Sequence, residues 1–458
     1  MNVGNTVRQS EKMSTNVVDH KYNKFVKNKK VHLIRVAILA EEPIGWGSGK
    51  HFFPIILNNY RWTIENKTYK FIVNYIFDKD ILIGRLNKSE FDVLLVPGGG
   101  VGDGQSIMKG FNFSIRVRKW KKKIITFIQN GGGYVGICGG AALLTDLKTQ
   151  EKRPGTFLER QYNKSSLGVS CISSYYRTYA FPLFYPFQKN HPEKIGSAAY
   201  VFSFAPGETV DGLRIHTGGV PLDFQIIKDH PIFSDFTQST QKIRWWGGPS
   251  LIVPENPDRN VKILARYPVK DLSEDSSTQI YAWKYVGGIH GLIFAFFKAL
   301  KFIKKENDTL KNVFLYTYFM AGNWELTDKL IKLDYSNKPS ITAEIYPNDN
   351  QGRILLCTSH PEFMIWWDGC ITEMKNMGFN CLGTGLHKWE GIAPLSKTAE
   401  KEITYTWWIV RRFVAWAAKV PDEHLPPINK EEIMKNEISI ISKNIFWDGN
   451  LLNQMKNI

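Results

Sequence analysis

The segment 132–144 constrains the fold more than any other part of the chain. An apolar strand pattern leads into the sequence Gly-Ile-Cys-Gly-Gly, and small and apolar residues with helical character follow. A strand that turns sharply into a helix strains the backbone of the residue at the turn, so the residues two positions away must be small. Gly136 and Gly140 meet this requirement. The pattern predicts a nucleophile elbow with Cys138 at the turn.

The predicted turn places Cys138 at the N-terminus of a helix, where the helix dipole favours the thiolate. The alternative interpretation is a buried structural cysteine beside a tight turn between a strand and a helix. Strand, turn and helix in this order support the elbow, and a sequence alone only indicates such a context. Both interpretations stay open at this point.

The rest of the pattern is that of an α/β protein. Short, fully apolar runs between helices are typical of a parallel sheet that is covered on both faces. The predicted strands are His32–Ala40, Tyr69–Phe77, Phe91–Val96 and Arg353–Thr358. The predicted helices are Phe52–Trp62, a helix with the apolar stripe Phe113, Val117, Trp120, Ile124 and Phe127, and Ala399–Lys419.

With 458 residues and 43% hydrophobic content, the chain is long and apolar enough to bury a sizeable core. Residues 1–30 are polar and end in a basic run, so we expect a flexible basic tail. We expect one α/β domain over 31–420, with an insertion or extension at 151–340. This insertion is predicted to be β-rich at first and helical over 291–340. Residues 421–458 form a C-terminal extension.

The formal net charge is +16. Such a balance is found in proteins that bind nucleic acid or anionic membranes. Lys, Asn and Ile are frequent throughout the chain, however, and a bias in residue usage explains the charge without a nucleic-acid partner. The basic run 116–123 is therefore interpreted as a solvated helix face, with phosphate binding as its alternative.

No stretch reaches the length of about 20 uninterrupted apolar residues that a membrane span needs. The nearest, 289–303, contains two lysines and is interpreted as a partly buried helix, with a position on a membrane surface as the alternative. The five cysteines form no regular framework, and no signal peptide opens the chain. We therefore expect a cytoplasmic protein without a membrane span.

A cysteine nucleophile needs a base, and the base needs a group that orients it. His360 and Glu362 follow the apolar strand 353–358, at the edge where parallel sheets place their ligands. His191 lies in a second His-Pro-Glu tripeptide, but polar loop residues surround it. The placement favours His360 as the base, Glu362 as its orienting group and an exposed turn at His191.

Donors for a developing oxyanion are predicted at two places. Gly139 offers the backbone N–H of the residue after the nucleophile, and Gly99 and Gly100 lie in a glycine-rich turn after a strand. The alternative, a phosphate loop over 97–106, lacks the Gly-Lys-Ser/Thr ending that such loops have.

The cysteines near His360 offer a metal site as an alternative interpretation. Cys357 lies three residues before His360, and Cys370 and Cys381 follow downstream. This spacing lacks the close pairs of zinc sites, and Cys357 falls inside an apolar strand. We expect neither a metal nor another cofactor. The pairs of tryptophans fit core or interface packing, and Trp366-Trp367 is a candidate for lining the pocket.

The order Pro-Gly-Gly, Gly-Ile-Cys-Gly-Gly and Ser-His-Pro-Glu resembles the class I glutamine amidotransferase-like superfamily. Within it, the chain is most similar to the N-terminal-domain family of eukaryotic biotin–protein ligases and its stand-alone relatives. The resemblance extends over about residues 32–420, with insertions. It implies a flavodoxin-like, mostly parallel sheet flanked by helices, and a catalytic triad of Cys138, His360 and Glu362.

The resemblance implies a cysteine-dependent amide hydrolase or acyl-transfer enzyme that acts on a small-molecule or peptide amide. We expect neither a synthetase domain nor a ligase catalytic domain in this sequence, so an amidotransferase role would require a separate synthetase or ligase chain as partner. Two features depart from the family pattern. Gly139 stands where a bulkier residue is usual, which is tolerated because only its N–H is needed, and the interval between Cys138 and His360 is long, which leaves the identity of the substrate open. The second hypothesis is a catalytically inactive binding or regulatory module with the same fold.

Overall fold

A computed structural model gives the fold of the protein. It describes residues 31–40, 53–58, 60–98, 115–148, 163, 167–175, 209–210, 213–216, 220–245, 248–270, 274, 281–286, 290, 293, 297, 323–330, 334–362, 369–372, 393–394 and 406–428. The strands are β1 (Val31–Leu39), β2 (Arg61–Ile64), β3 (Lys67–Ile76), β4 (Val93–Val96), β5 (Gly133–Ile137), β6 (Asp146–Lys148), β7 (Ser173–Tyr175), β8 (Thr209–Val210), β9 (Leu213–His216), β10 (Val220–Ile226), β11 (Thr240–Trp245), β12 (Ser250–Ile252), β13 (Val261–Arg266), β14 (Tyr281–Val286), β15 (Asn323–Leu330), β16 (Pro339–Ile345), β17 (Arg353–Cys357), β18 (Gly369–Thr372) and β19 (Ala393–Pro394). The helices are α1 (Phe53–Asn58), α2 (Asp78–Ile83), α3 (Ile115–Gln129), α4 (Gly139–Leu144) and α5 (Trp407–Ala417), and a 3₁₀ turn spans Asp422–His424.

A ten-stranded sheet forms the centre of the protein, in the order β11-β10-β13-β16-β17-β5-β4-β1-β3-β2. Its middle strands, β17, β5, β4, β1 and β3, are parallel to their neighbours in this set. The strands outside this set pair antiparallel. The predicted mixed α/β class, with a large sheet that is parallel at its centre, is confirmed.

Each central strand contributes side chains to both faces of the sheet. In β4, Val93 and Leu95 belong to one apolar cluster, and Leu94 and Val96 belong to another. Helices α1 and α5 pack on the first face and α2 and α3 on the second, and α4 contributes side chains to both clusters. A strand that is buried on both faces must be apolar throughout, which explains the continuous apolar runs in the sequence.

At one edge the sheet bends back on itself. Strand β11 lies at the edge of the strand order, yet Arg244 near its end forms an antiparallel bridge with His360, just after β17. Trp245 next to it packs against the ring of Tyr267, with ring centroids 6.4 Å apart. The β10–β11 hairpin therefore returns to the carboxyl end of the parallel strands.

The first predicted helix is shorter than expected. It ends at Asn58, and Trp62 lies in β2, which forms a hairpin with β3. Glu65 and Asn66 make the turn with positive φ angles of 48° and 66°, as a tight two-residue hairpin requires. The Trp62 ring stacks on Tyr69 across the hairpin, with centroids 5.1 Å apart. This cross-strand contact explains why Trp62 is in a strand.

The prediction of a helical segment over 291–340 is wrong for much of its described part. Strand β15 pairs antiparallel with β14, and β16, which begins at Pro339, lies between β13 and β17. Only positions 293 and 297 in this range are helical among those described. Pairing with neighbouring strands, rather than the local sequence pattern, determines the structure of these segments.

Several other expectations fall on residues outside those described. These are the tail 1–30, residues 429–458 of the C-terminal extension and most of the apolar run 289–303. In the part of the chain that is described, no helix has both the length and the apolar character to cross a membrane.

Helix α3 offers a direct test of the packing on the second face. Ile124 is fully buried in that cluster, whereas Ile115 on the same helix is 78% exposed. We expect Ile124→Ala to lower the free energy of unfolding by about 2–5 kcal/mol, because it leaves a cavity in the core. Ile115→Ala should change it by less than about 0.5 kcal/mol. Urea denaturation of both variants checks this; equal effects would contradict the assigned face.

Candidate active site

Cys138 lies at the turn between β5 and α4. Its backbone has φ 49° and ψ −109°, which is rare for a residue other than glycine. Its N–H donates to the carbonyl oxygen of Cys357 at the end of β17 (2.6 Å), and its own carbonyl accepts from Ala141 at 3.0 Å. The strained turn is thus held by hydrogen bonds on both sides.

The two glycines of this turn are required by close backbone approach. A β-carbon on Gly140 would lie 2.1 Å from the carbonyl oxygen of Val96 in β4. A β-carbon on Gly136 would lie 2.6 Å from the carbonyl oxygen of Gly140. No side chain fits at such distances, so the small residues predicted at these positions are needed to bring α4 onto the sheet.

His360 reaches the same edge from β17. This strand runs parallel to β5, with Cys357 beside Ile137, so both strands end at one edge of the sheet. The backbone N–H of His360 donates to the carbonyl oxygen of Arg244 (2.7 Å). Its side chain forms a hydrogen bond with Cys138, and its Nδ1 lies 2.8 Å from Oε1 of Glu362. The structure brings Cys138, His360 and Glu362 together.

Glu362 is held in place by the start of α5. Thr406 Oγ1 donates to the carbonyl oxygen of Pro361, and Trp407 Nε1 donates to that of Glu362, each at 2.8 Å. The Glu362 side chain is fully buried, and its Oε2 has no hydrogen-bond partner among the described residues. These two donors had no signal in the sequence beyond a polar and an indole side chain at the start of a predicted helix.

The charge of His360 is set by its neighbours. Burial lowers the pKa of the imidazole, but electrostatic attraction to Glu362 and Cys138, together with the hydrogen bonds that the imidazole donates to both, outweighs burial and raises the pKa to about 10. The imidazole is therefore protonated at neutral pH. A buried cation is thus held between a sulfur atom and a carboxylate.

Gly98 lies closely against the side chains of both Cys138 and His360. A β-carbon at this position would lie 2.5 Å from Cε1 of His360 and 2.7 Å from Cβ of Cys138. Gly99 and Gly100, which the sequence predicts as oxyanion donors, lie outside the described residues. Gly139 is buried and directly follows Cys138 at the first position of α4.

A buried tyrosine fixes the backbone between β17 and His360. Tyr267 Oη donates to the carbonyl oxygen of Pro249 (2.8 Å) and lies 2.9 Å from Thr358 Oγ1. Burial raises the pKa of this phenol well above its ordinary value, so Tyr267 stays neutral. Sequence reasoning missed Tyr267, because its contacts come from segments distant in the chain.

The residues of the alternative interpretations lie partly inside and partly outside the described part of the chain. Among them, no group of three or more His, Cys, Asp or Glu side chains is placed to hold a metal ion. Cys357 is buried, and burial raises the pKa of its thiol to about 12. His191, Trp366-Trp367 and Cys381 lie outside the described residues. In the basic run, Arg118 and Lys119 are exposed on α3.

Comparisons with known proteins add little. No family model matches the chain, and no curated protein matches it. Among solved structures 21 chains match. One is the crystal structure of SMU.1228c, with 13% sequence identity over 51% of this chain and 67% of that chain, and a TM-score of 0.22. This similarity carries no argument, so the site is interpreted from its own residues.

Gly98→Ala tests the closeness of the thiol and the imidazole. The added methyl group would force Cys138 and His360 apart, so we expect alkylation of Cys138 by iodoacetamide to slow by about tenfold or more. Gly352→Ala is the matched control, because its β-carbon would lie 2.3 Å from the carbonyl oxygen of Ile128, at the opposite end of β17. That variant should lose stability but keep the reactivity of Cys138. Equal reactivity in both variants would contradict the geometry.

Glu362→Gln tests the origin of the charge on His360. Removing the carboxylate should move the pKa of His360 from about 10 towards its ordinary value of about 6.5. Because the folded-state pKa is raised, the stability it contributes is present below about pH 6.5 and lost as the pH rises to about 10. The stability difference between wild type and variant should therefore shrink over this interval.

Imidazole NMR shifts against pH measure this pKa directly. His230 serves as the internal control, because burial lowers its pKa to about 4 and it should titrate alike in both proteins. An unchanged titration of His360 in the variant would show that the carboxylate does not set its charge.

Proposed function

We propose that this protein is a cysteine-dependent amide hydrolase or acyl-transfer enzyme of the glutamine amidotransferase type, with a flavodoxin-like fold. The observation that carries the proposal is the contact of Cys138 with His360, whose other side is bonded to Glu362 at 2.8 Å. A thiol, an imidazole and a carboxylate in this order form the arrangement that activates a cysteine nucleophile. The resemblance to the superfamily points to the same three residues.

In the proposed reaction, Sγ of Cys138 attacks the carbonyl carbon of an amide as the thiolate, and a carbon–sulfur bond forms. The carbon–nitrogen bond of the substrate then breaks, and His360 gives its proton to the departing amine. A water molecule, which loses a proton to His360, next attacks the thioester and releases the acid. An amine in place of the water gives acyl transfer. His360 acts first as an acid and then as a base.

Glu362 keeps the imidazole oriented and stabilises its positive charge throughout, since Oε1 accepts a hydrogen bond from Nδ1. The protonated state at neutral pH suits the first step, in which the imidazole donates a proton. The N–H of Gly139 is proposed as one donor to the developing oxyanion, since it belongs to the residue after the nucleophile. Gly99 and Gly100 remain proposed as further donors.

The proposed substrate is a small-molecule or peptide amide. Transfer of ammonia to another molecule would require a separate synthetase or ligase chain, and hydrolysis requires none. The proposal includes that this chain is related to the N-terminal-domain family of biotin–protein ligases. The fold alone does not decide among these roles, because one scaffold supports many functions.

The experiment compares Cys138 with free cysteine and with a second cysteine of the same protein. Cys171 is partly exposed, and burial together with Glu344 raises the pKa of its thiol to about 11, so Cys171 is a suppressed thiol and free cysteine is the reference for an ordinary one. We expect iodoacetamide at pH 7 to alkylate Cys138 at least about tenfold faster than free cysteine, and Cys171 more slowly than free cysteine, by peptide mass spectrometry over time. His360→Gln should remove this advantage.

Turnover is measured as ammonia released from a panel of primary amides, including glutamine and glutaminyl peptides. Cys138→Ala should abolish the release, and Cys171→Ala should leave it unchanged. If Cys138 reacts no faster than free cysteine and no amide is cleaved in a Cys138-dependent way, the enzymatic proposal fails. The chain would then fit a binding or regulatory module.

A further inference from the structure

Helix α3 presents a basic face to the solvent. Its sequence contains six basic residues and no acidic one. Trp120, Ile124 and Phe127 attach its other side to the sheet as part of the second apolar cluster. The exposed residues are spaced three and four positions apart, which places them on one side of the helix. This set, named the α3 face, consists of Ile115, Arg118, Lys119, Lys122 and Thr126.

The positive charges of this helix are not neutralised by the part of the protein that the structure describes. Four cations have no ion-pair partner there: Arg118, Lys119, Lys122 and Lys123. The acidic residues of the neighbouring α2, Asp78 and Asp80, are buried. Asp146 attracts Lys121, which is only partly exposed. The α3 face therefore carries uncompensated positive charge that suits an anionic partner.

Two apolar side chains flank these charges. Ile115 is 78% exposed and Ile83 is 75% exposed, which makes them the two most exposed large hydrophobic side chains among those described. Ile83 ends α2, and a β-carbon on the next residue, Gly84, would lie 3.3 Å from Nζ of Lys123. The end of α2 thus lies beside the α3 face. Cations and large aliphatic side chains are exposed together on one surface.

We propose that the α3 face and Ile83 bind the surface of an anionic lipid bilayer. The cations attract the negative charges of the lipid headgroups, and the two isoleucines enter the boundary between headgroups and acyl chains. The protein then lies on the bilayer and does not cross it. This binding goes beyond the proposed activity and does not depend on it.

A nucleic acid fits this surface less well. Proteins that bind single strands stack the bases on aromatic side chains, and no aromatic side chain of α2 or of the described side chains of α3 is exposed. Phosphate groups along a duplex would meet the cations but would leave the two isoleucines in water. A bilayer surface accommodates both kinds of side chain.

The test measures sedimentation of the full-length chain with lipid vesicles. We expect vesicles of phosphatidylcholine mixed with phosphatidylserine to bind it about tenfold or more tightly than vesicles of phosphatidylcholine alone, and added NaCl should weaken the binding. The double variant Lys119→Gln, Lys122→Gln should bind the mixed vesicles about tenfold or more weakly, because two charges near the lipid surface are lost. The matched control is Lys67→Gln, Lys70→Gln, which removes two exposed charges from β3 and should bind within about twofold of wild type.

Ile115→Ala tests the apolar part of the contact. It keeps every charge and should weaken binding to the mixed vesicles about threefold or more, because less apolar surface enters the bilayer. Leu33→Ala is its control, since Leu33 is 51% exposed in β1, away from this surface. Binding by that variant should stay within about twofold of wild type. All of these side chains are exposed, so the variants should fold like the wild type.

Four results would overturn the proposal. The first is equal binding to both kinds of vesicle, and the second is an equal loss in the two double variants, which would trace the binding to the net charge of the whole chain. The third is unchanged binding by Ile115→Ala. The fourth is tight binding of a fluorescent RNA, single-stranded or duplex, that depends on Lys119 and Lys122 while the vesicles are not bound. That last result would assign the α3 face to nucleic acid.

Discussion

The parallel pairing of β5 with β17 is the constraint on which the rest of this site depends. Cys138 and His360 are distant in the sequence, and they meet because these two strands end side by side at one edge of the sheet. The hydrogen bond from the Cys138 N–H to the Cys357 carbonyl continues the pairing one residue past β5. The side chain of Cys138 therefore extends from a fixed turn, and the side chain of His360 extends from a backbone segment that a neighbouring strand has already aligned.

The surrounding structure compensates for several costly features at this edge. Cys138 has a positive φ, and the side chains of His360, Glu362 and Arg244 are almost fully buried. Strained backbone and buried charge each cost free energy, and they persist only where the surroundings enforce them. Here the enforcement comes from both sheet and helix: β5 and β17 hold the turn, and Trp407 at the start of α5 holds the backbone of Glu362. Such a concentration of cost is typical of a functional site.

The sequence predicts those parts of the fold whose structure follows from a local pattern. Continuous apolar runs give β4 and β17, and the spacing of Trp120, Ile124 and Phe127 gives the buried stripe of α3. The predictions fail where pairing between strands determines the secondary structure. Trp62 looks helical among its neighbours but lies in β2, because its ring packs across a hairpin on Tyr69. For the same reason β15 and β16 replace part of an expected helical segment.

The candidate site divides in the same way. Cys138, His360 and Glu362 each follow directly from a strand end, so a reader of the sequence can place them on one edge of a parallel sheet. Arg244 cannot be found like this, since it reaches His360 only because the sheet bends back through the β10–β11 hairpin. The groups proposed for bond breaking come from β5 and β17, whereas Arg244, whose carbonyl oxygen accepts from the His360 N–H, comes from the segment inserted between them. The backbone of His360 is therefore aligned by a strand whose position the order of strand ends does not reveal.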